Sequence, residues 1–324
     1  MGDFRKVRGA VPELHTAQMI NSPFKWVGGK SRLRKQIISL LPQHTCYVEP
    51  FGGAAWVLLG KDRSDVEVLN DIDGELMNFF RVIKNRPEEF IESFDLALVS
   101  REEFERLSRL DVSTASEIER AHRFYYLIMA GWGGELAYPR FQTSITDGGG
   151  GNRLIGALRT LRSRIEPVHT RLRSVIIENL GWEKLIDRYD RSGVVFYLDP
   201  PYPENGCNYL HNMRSWDDHR RLASRLQECK ASWIYSSYDT EEVRALFSDS
   251  PCFIMPVRSA SGMISKKSGT TRVENKEVLI TNFDPDRSGL ATSNVESQRP
   301  FTLDVLMPPT DSESLAETLS NPIE

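Results

Sequence analysis

A strand, glycine turn, helix and second strand near the N-terminal end constrain the fold most. Residues 46–49 form an apolar stretch that ends at the glycine turn of residues 50–53, and a helical run follows over residues 54–59. Residues 66–69 form the next apolar stretch, which ends at Asp71. This order is typical of a βαβ unit in a nucleotide-binding α/β sheet.

The same kind of pattern resumes in the C-terminal half. Near the N-terminus, apolar residues at helical spacing predict a helix over residues 31–41, and an amphipathic helix follows the second strand to Lys84. Further strands are predicted over residues 175–177, 194–198, 233–236, 253–257 and 277–281, with helices over residues 216–230 and 241–247. The elements together predict one α/β sheet whose strands come from both ends of the chain.

The middle of the chain differs from both ends. Residues 87–191 are largely helical and polar, and glycine-rich segments at 131–134 and 148–151 interrupt them. The predicted fold class is therefore α/β, with a Rossmann-like sheet and a mainly helical insertion. The predicted division is a flexible leader (1–20), a sheet domain split into 21–86 and 192–283, the insertion (87–191) and an acidic disordered tail (284–324).

The net charge of −4 is unevenly distributed. Residues 284–324 carry −6, which leaves +2 for the rest of the chain. Residues 120–174 contain nine arginines and three acids. Such an excess suits contact with phosphates, and it equally suits a solvated, arginine-rich helix over residues 159–173.

Four cysteines are scattered through the chain, with no CxxC spacing and no histidines at metal-ligand intervals. This usage is typical of buried thiols in a reducing cytosol and predicts neither a disulfide framework nor a metal site. No apolar run approaches the roughly 18 residues of a membrane span. The N-terminus also lacks the apolar centre of a secretion signal. We therefore expect a cytoplasmic protein.

The tetrapeptide Asp199-Pro200-Pro201-Tyr202 follows the apolar strand 194–198, so it lies at the carboxyl edge of the sheet. Two prolines fix the backbone and remove two N–H groups, which leaves carbonyl acceptors. A carboxylate and a rigid carbonyl can together accept both hydrogens of an aromatic amino group. The adjacent Tyr202 offers a face on which a base can stack.

The glycine turn of residues 50–53 and Asp71 suit a ligand that contains a ribose. Glycines between strand and helix allow close approach of the backbone, and an acid at the end of the next strand is where ribose hydroxyls are held. The spacing is not G-x-G-x-x-G, and Gly28-Gly29-Lys30 does not complete a P-loop because residue 24 is Phe. Lys30 can neutralise a carboxylate, and Trp26 supplies a flat aromatic surface.

Read in order, four segments resemble the Dam-type DNA adenine methylases of bacteria and phages: FKWVGGK (24–30), VEPFGG (48–53), LNDI (69–72) and DPPY (199–202). In that family the cofactor motifs come first, the target-recognition insertion follows, and the catalytic tetrapeptide comes last. The resemblance extends over residues 22–283. It implies a Rossmann-like methyltransferase sheet with residues 87–191 as the target-recognition insertion.

The resemblance implies a site-specific DNA methyltransferase that transfers a methyl group from S-adenosyl-L-methionine to N6 of a flipped-out adenine. Double-stranded DNA is the implied partner, with no metal and no required oligomer. Asp71 would hold the ribose, and the Pro200 carbonyl would accept the second N6 hydrogen. The implied catalytic residues are Asp199, Pro200, Pro201 and Tyr202. The implied cofactor-binding residues are Trp26, Lys30, Glu49, Pro50, Phe51, Gly52, Asp71, Ile72 and Asp199.

The insertion departs from the family pattern. Where the family often has Phe-Asn followed by Pro and Gly, residues 140–144 read Arg-Phe-Gln-Thr-Ser. Side chains of this kind make the base contacts, arginine to guanine and glutamine to adenine. Because they differ here from the family pattern, the recognised DNA word stays open. A basic Gly/Ser-rich segment over residues 258–272 suits contact with the DNA backbone, and it equally suits a polar loop. The predicted DNA-binding residues are Arg140, Gln142, Arg153, Arg159, Arg258, Lys266, Lys267 and Arg272.

Two alternatives stay open on the sequence. N4-cytosine methylation uses the same kind of tetrapeptide, although Asp at its first position favours adenine. A catalytically silent nucleic-acid-binding relative would keep the fold without the chemistry, and the intact Asp199, Lys30 and Asp71 argue against it.

Overall fold

The computed structural model describes residues 19–26, 28–131, 139–142, 153–202, 213, 215–248, 250–260 and 274–286. Its strands are β1 (Cys46–Glu49), β2 (Val66–Asn70), β3 (Val175–Glu178), β4 (Val194–Leu198), β5 (Ser232–Tyr238), β6 (Phe253–Ala260) and β7 (Glu274–Thr281). Its helices are α1 (Arg34–Leu40), α2 (Trp56–Gly60), α3 (Gly74–Asn85), α4 (Pro87–Glu92), α5 (Arg101–Ser108), α6 (Glu117–Ala130), α7 (Arg153–Leu158), α8 (Leu161–Leu172), α9 (Trp182–Tyr189), α10 (Trp216–Gln227) and α11 (Glu241–Leu246).

The seven strands form one sheet in the order β3-β2-β1-β4-β5-β7-β6. The first five strands in this order are parallel, and β7 runs antiparallel to both of its neighbours. The chain winds outward from β1 to β3 on one side and from β4 to β5 on the other. The order therefore reverses between β1 and β4, and ligands of open α/β sheets bind at such a switch point, beyond the carboxyl ends of the strands.

Side chains alternate between the two faces of the sheet, and each face has its own core. Tyr47 and Leu69 join the core that includes α2, α3 and α6, whereas Val48 and Val68 join the core that includes α9, α10 and α11. The helices cover both faces of the sheet, so β1, β2, β4 and β5 are buried along almost their whole length, whichever face a residue points to.

The helices of the insertion share the first of these cores. Phe79 of α3 packs against Phe124 and Tyr125 of α6, with ring centroids 5.4 and 5.9 Å apart. A capping box at Ser116 and Glu119 begins α6 and satisfies its first backbone donors. The insertion is therefore fixed to the face of the sheet that carries α2 and α3.

The α/β class and all seven predicted strands are confirmed. The predicted helix starts at 31 and 54 were too early, since α1 begins at Arg34 and Ala55 lies in the left-handed region with φ of 54° before α2. The strand β3 pairs with β2, although the predicted limit at 191 placed it within the insertion. Residues 1–18 and 287–324 lie outside the described residues, so the leader and the tail stay predictions.

Candidate active site

Polar side chains gather on one face of the neighbouring strands β4, β5 and β7. Tyr197, the residue before the last of β4, lies on the same side of the sheet as Asp199, because side chains alternate along a strand. Ser236 of β5 and Glu277 of β7 lie on this face too, at the end of the sheet where β4 stops. Three strands thus deliver hydroxyl and carboxyl groups to one place at the switch point.

The Asp199 carboxylate is held through one of its two oxygens. Its Oδ1 atom lies 2.8 Å from Lys30 Nζ and accepts hydrogen bonds from the Ser236 hydroxyl at 2.8 Å and from the Tyr202 hydroxyl at 3.1 Å. The side chain is about one-fifth exposed, at 18%. Asp199 is therefore fixed from the protein side and open to a ligand.

The Lys30 ammonium is the cation of this cluster. It donates a hydrogen bond to the Gly28 carbonyl at 3.0 Å and lies 3.7 Å from Glu277 Oε2. Burial alone would lower the pKa of Lys30, but the neighbouring carboxylates, above all Asp199, outweigh burial and raise the pKa above its ordinary value. Lys30 therefore stays charged while buried, and it joins the segment before α1 to the tetrapeptide after β4.

Two phenols complete the cluster. The Tyr202 ring packs edge-on against Tyr238 with centroids 4.6 Å apart, and Lys30 Nζ lies 5.0 Å from its centre. The Tyr197 hydroxyl lies 3.4 Å from Ser236 Oγ. Burial, followed by the charge of Asp199, holds the pKa of both phenols well above the ordinary value. Both phenols therefore stay protonated and can donate.

The turn after β1 brings the backbone close to Trp26 and Asp71. Gly53 has a φ of 46°, and a Cβ there would lie 3.1 Å from the Trp26 ring. A Cβ on Gly52 would lie 2.8 Å from the Asn70 carbonyl oxygen, so neither position accepts a larger residue without movement. The Trp26 ring stacks on Phe124 of α6 at 6.1 Å. The turn therefore packs against Trp26, which in turn packs on α6 of the insertion.

The Asp71 carboxylate orders the end of β2. It accepts hydrogen bonds from the Gly53 N–H and the Asp73 N–H, both at 3.0 Å. The Asn179 amide donates to the Asp71 carbonyl at 2.8 Å, which ties the end of β2 to the loop after β3. The next side chain, Ile72, is 48% exposed and presents an apolar surface beside this carboxylate.

Asn70 is a further residue at this edge that the sequence reasoning did not single out. Its side-chain amide donates to the Pro50 carbonyl at 2.8 Å and to the Leu180 carbonyl at 3.0 Å, and its side-chain oxygen accepts from the Leu180 N–H at 2.8 Å. Asn70 is fully buried and fastens the turns after β1 and β3 to the end of β2. The half-buried Phe51 packs on the opposite core.

Glu49 has a position that differs from the other predicted cofactor residues. Its Oε1 atom accepts hydrogen bonds from the Tyr47 hydroxyl at 2.6 Å and from the Leu58 N–H at 2.8 Å, and the residue is 2% exposed. Leu58 is the third residue of α2, whose own cap residue provides no side-chain bond. Glu49 therefore caps α2 from β1. Burial raises the pKa of the Glu49 carboxyl to about 7, against the opposing hydrogen bonds.

Glu49→Gln should remove a pH dependence from the folding free energy. A carboxyl whose pKa is 4.5 when exposed and about 7 when folded stabilises the protein fully below pH 4.5, and the contribution is lost as the pH rises through 7. The loss is about 3 kcal/mol, while glutamine stays neutral and keeps both hydrogen bonds. The Tm of the wild type should therefore fall relative to the variant between about pH 5 and about pH 8. A difference in Tm that is constant with pH would contradict the raised pKa.

The model of the D12 class N6 adenine-specific DNA methyltransferase family matches residues 26–263, which include every element from α1 to β6. The chain belongs to this family. D12 methyltransferases modify adenine in DNA, so DNA is the substrate of the chain, and S-adenosylmethionine is the methyl donor that the family implies.

Curated relatives of this D12 methyltransferase match over most of their own length. The Type II methyltransferase M1.LlaDCHI of Lactococcus lactis subsp. cremoris is 26% identical over 81% of this chain and 95% of its own. The Type II methyltransferase M.CviBI of Paramecium bursaria Chlorella virus NC1A is 25% identical over 69% and 85%. The DNA adenine methylase of Serratia marcescens is 27% identical over 72% and 89%.

The predicted DNA-binding residues of the D12 methyltransferase have different surroundings. Arg140 and Arg159 are exposed. Arg153 donates to the Gln142 side-chain oxygen at 2.9 Å and also to the Gly131 carbonyl, beside the point where the backbone of Gln142 pairs with the end of α6. Only the backbone of Arg258 is described, in β6, and Lys266, Lys267 and Arg272 lie outside the described residues.

Several arginines of residues 120–174 are engaged within the D12 methyltransferase itself. Arg120 pairs with Glu75 of α3, and Arg162 pairs with Glu88 of α4 at 2.8 Å. Arg171 is buried against Glu67 of β2. The acids that neutralise these three arginines come from outside the counted segment, so the local positive charge is smaller than the sequence indicated.

None of the described helices combines the length and the apolar composition that a membrane-spanning segment needs. In the part of the chain that the structure describes, His, Cys, Asp and Glu side chains form no group of three or more that could hold a metal ion.

Proposed function

We propose that the chain transfers the methyl group of S-adenosylmethionine to N6 of an adenine that has been turned out of double-stranded DNA, at the crevice around Asp199. The observation that carries this proposal is the contact of 2.8 Å between Lys30 and Asp199. It joins the motif before α1 to the tetrapeptide after β4, at the switch point of the sheet. A shared crevice is what a methyl donor and an acceptor base both require.

The residues around the turn after β1 fit a ligand with a ribose and a flat base. Asp71 supplies a carboxylate for hydroxyl groups, and the exposed Ile72 supplies an apolar surface. Trp26 lies against the glycine turn, and a glycine backbone allows close approach of a bound group. We propose that Trp26, Lys30, Asp71 and Ile72 hold S-adenosylmethionine, with the turn of residues 50–53 beside it. Glu49 would support this cofactor site indirectly, by capping α2.

The bound cofactor supplies a methyl group that its sulfonium already activates. The chain must therefore position the acceptor amine and stabilise its charge as the bond forms. Asp199 and the Pro200 carbonyl can accept hydrogen bonds from the two N–H groups of the amine, which restores electron density to its nitrogen. Pro201 keeps this backbone rigid, and Tyr202, fixed against Tyr238, offers a face for the base.

The acceptor base must leave the helix, because N6 inside a duplex cannot reach a methyl donor in a crevice; unstacking costs a few kcal/mol. We propose that the insertion supplies the DNA contacts, with the exposed Arg140 and Arg159 among them. The Arg153–Gln142 pair would hold the segment that follows α6. The remaining candidates would contact the backbone of the DNA; they are Arg258, Lys266, Lys267 and Arg272. The proposed reaction requires no second copy of the chain, and we propose that it takes place in the cytosol.

The proposal is tested by incubating the purified chain with duplex DNA and radiolabelled S-adenosylmethionine, followed by nucleoside digestion and chromatography. Label in N6-methyladenine is expected. Label in N4-methylcytosine, or cofactor binding with no label in DNA, would refute the proposal. Long-read sequencing of DNA from cells that express the chain would then report the recognised word.

Lys30→Ala should weaken the binding of S-adenosylmethionine by about 10- to 100-fold, the effect of losing a hydrogen bond between charged groups. The reason is that, in the proposed site, Lys30 is the ammonium that would pair with the carboxylate of the cofactor. Isothermal titration with the cofactor measures the change. Lys35→Ala, an exposed lysine of α1, is the matched control and should bind as the wild type does. An unchanged dissociation constant in the Lys30 variant would exclude Lys30 from the cofactor site.

A further inference from the structure

Ser236 lies outside all four sequence motifs, yet it is part of the cluster around Asp199. It is fully buried in β5, the strand between β4 and β7. Its hydroxyl donates to Asp199 Oδ1 at 2.8 Å and lies 3.4 Å from the hydroxyls of Tyr197 and Tyr202. A buried serine in a largely apolar strand, with its single proton given to a carboxylate, suggests a role in the site.

The direction of these hydrogen bonds is set by the number of protons. Ser236 has one hydroxyl proton, which goes to Asp199, so the Tyr197 hydroxyl donates to Ser236. Tyr197 in turn belongs to β4, the strand that ends one residue before Asp199. The bonds therefore run from Tyr197 to Ser236 to Asp199, and both supporting residues are fixed in the interior of the sheet.

The two oxygens of Asp199 differ sharply in their surroundings. Lys30, Ser236 and Tyr202 all reach Oδ1. Among the hydrogen bonds of the described residues, none goes to Oδ2. A carboxylate held by three donors on one oxygen cannot rotate freely, so the second oxygen keeps a fixed direction.

We propose that Ser236 is a positioning residue for methyl transfer, which fixes the Asp199 carboxylate so that Oδ1 is bound by the protein and Oδ2 is presented to the exocyclic amine. This inference rests on the proposed function of Asp199. Lys30 and Tyr202 also contact Oδ1, but both belong to loop segments at the crevice. Ser236 is the donor that the sheet itself holds in place.

The test is the rate of methyl transfer in a single turnover, measured for Ser236→Ala and Ser236→Cys. The cysteine variant fills the same position with a slightly larger thiol that donates only a weak hydrogen bond, so it separates the loss of the hydrogen bond from the loss of packing. Both rates should fall by about 10- to 100-fold, the effect of losing a hydrogen bond to a charged group. The dissociation constants for S-adenosylmethionine and DNA should stay within about threefold of the wild type, because Ser236 contacts neither.

Ser237→Ala is the matched control, since Ser237 is equally buried on the opposite face of the same strand. Its single-turnover rate should equal that of the wild type. Wild-type rates in both Ser236 variants would overturn the inference, as would a loss that appears in the binding constants and not in the transfer step. If the wild type itself does not methylate adenine, the proposed function fails first, so the two failures are distinct.

Discussion

Asp199→Asn should fold normally and transfer methyl groups about 10³-fold more slowly than the wild type, because a charge-bearing acceptor is lost at the reacting amine. Three donors converge on Oδ1 of Asp199, from Lys30, Ser236 and Tyr202. In the variant these donors still need an acceptor, so the side-chain carbonyl takes the Oδ1 position and the NH₂ group takes the Oδ2 position. The NH₂ group then faces the hydrogens of the incoming amine, and no acceptor remains on this side.

Single-turnover transfer of a labelled methyl group to duplex DNA measures this loss without a contribution from product release. Asp187→Asn is the matched control, since Asp187 is exposed on α9 and pairs with Arg225 at the surface. The control should react at the wild-type rate. The Tm of Asp199→Asn should stay within a few degrees of the wild type, because Lys30 keeps both an acceptor and Glu277. A rate within tenfold of the wild type would remove Asp199 from the catalytic machinery.

The strands could be predicted from the sequence because each is a short apolar run that ends at a glycine, a proline or a polar residue. Their order in the sheet could not be predicted so directly. The strand β7 lies between β5 and β6 and antiparallel to both, and this pairing depends on contacts between residues far apart in the chain. The predicted insertion (87–191) includes β3, and only the pairing of β3 with β2 identifies this strand as part of the sheet.

Some residues of the site could likewise be predicted from the sequence, and others could not. Lys30, Asp71 and Asp199 could be predicted because each belongs to a short motif with its own physical reason. Ser236 and Glu277 could not, because a polar residue inside an apolar strand gains a role only when its neighbours are known. A serine within the aromatic run of β5 and an acid at the start of an apolar stretch in β7 are the signals that could have identified them.

The surface charge of the insertion could not be predicted from the sequence for the same reason. The arginines of residues 120–174 suggested a surface for phosphates, but ion pairs depend on the acids that the fold brings near. Arg171 is the clearest case. It is 4% exposed, and its guanidinium makes two hydrogen bonds to the carboxylate of Glu67 and another, of 2.7 Å, to the Leu58 carbonyl. Arg171 therefore fastens α8 of the insertion to β2 and α2.

Lys61 completes this buried network. Its ammonium lies 2.7 Å from Glu67 Oε1 and 4.5 Å from the centre of the Tyr47 ring. One carboxylate thus faces two cations inside the protein. Burial acts to raise the pKa of Glu67, but Arg171 and Lys61 outweigh it, so the pKa lies below the ordinary value. Glu67 therefore stays ionised, and both cations depend on its charge.

Glu67→Ala should lower the free energy of unfolding by about 4 kcal/mol, because it leaves two buried cations without their common partner. For a chain of 324 residues the corresponding fall in Tm is about 6 °C. Chemical denaturation followed by circular dichroism measures the free energy, and a scan with temperature measures the Tm. Glu67 is in register with Tyr47 of β1 and, across it, with Val195 of β4, four residues before Asp199. Because Glu67 thus lies away from the Asp199 cluster, variant protein that is still folded should retain its affinity for S-adenosylmethionine.

Arg171→Met should cost less than Glu67→Ala, since it leaves the Lys61–Glu67 pair balanced and fills much of the space of the guanidinium with an apolar chain. Arg173→Ala, an exposed arginine two residues further on, should change the free energy of unfolding by less than about 0.5 kcal/mol. The expected order of destabilisation is therefore Glu67→Ala, then Arg171→Met, then Arg173→Ala. Equal effects at Arg171 and Arg173, together with a weaker salt dependence of DNA binding in Arg171→Met, would show that Arg171 contacts phosphates and does not fasten the insertion to the sheet.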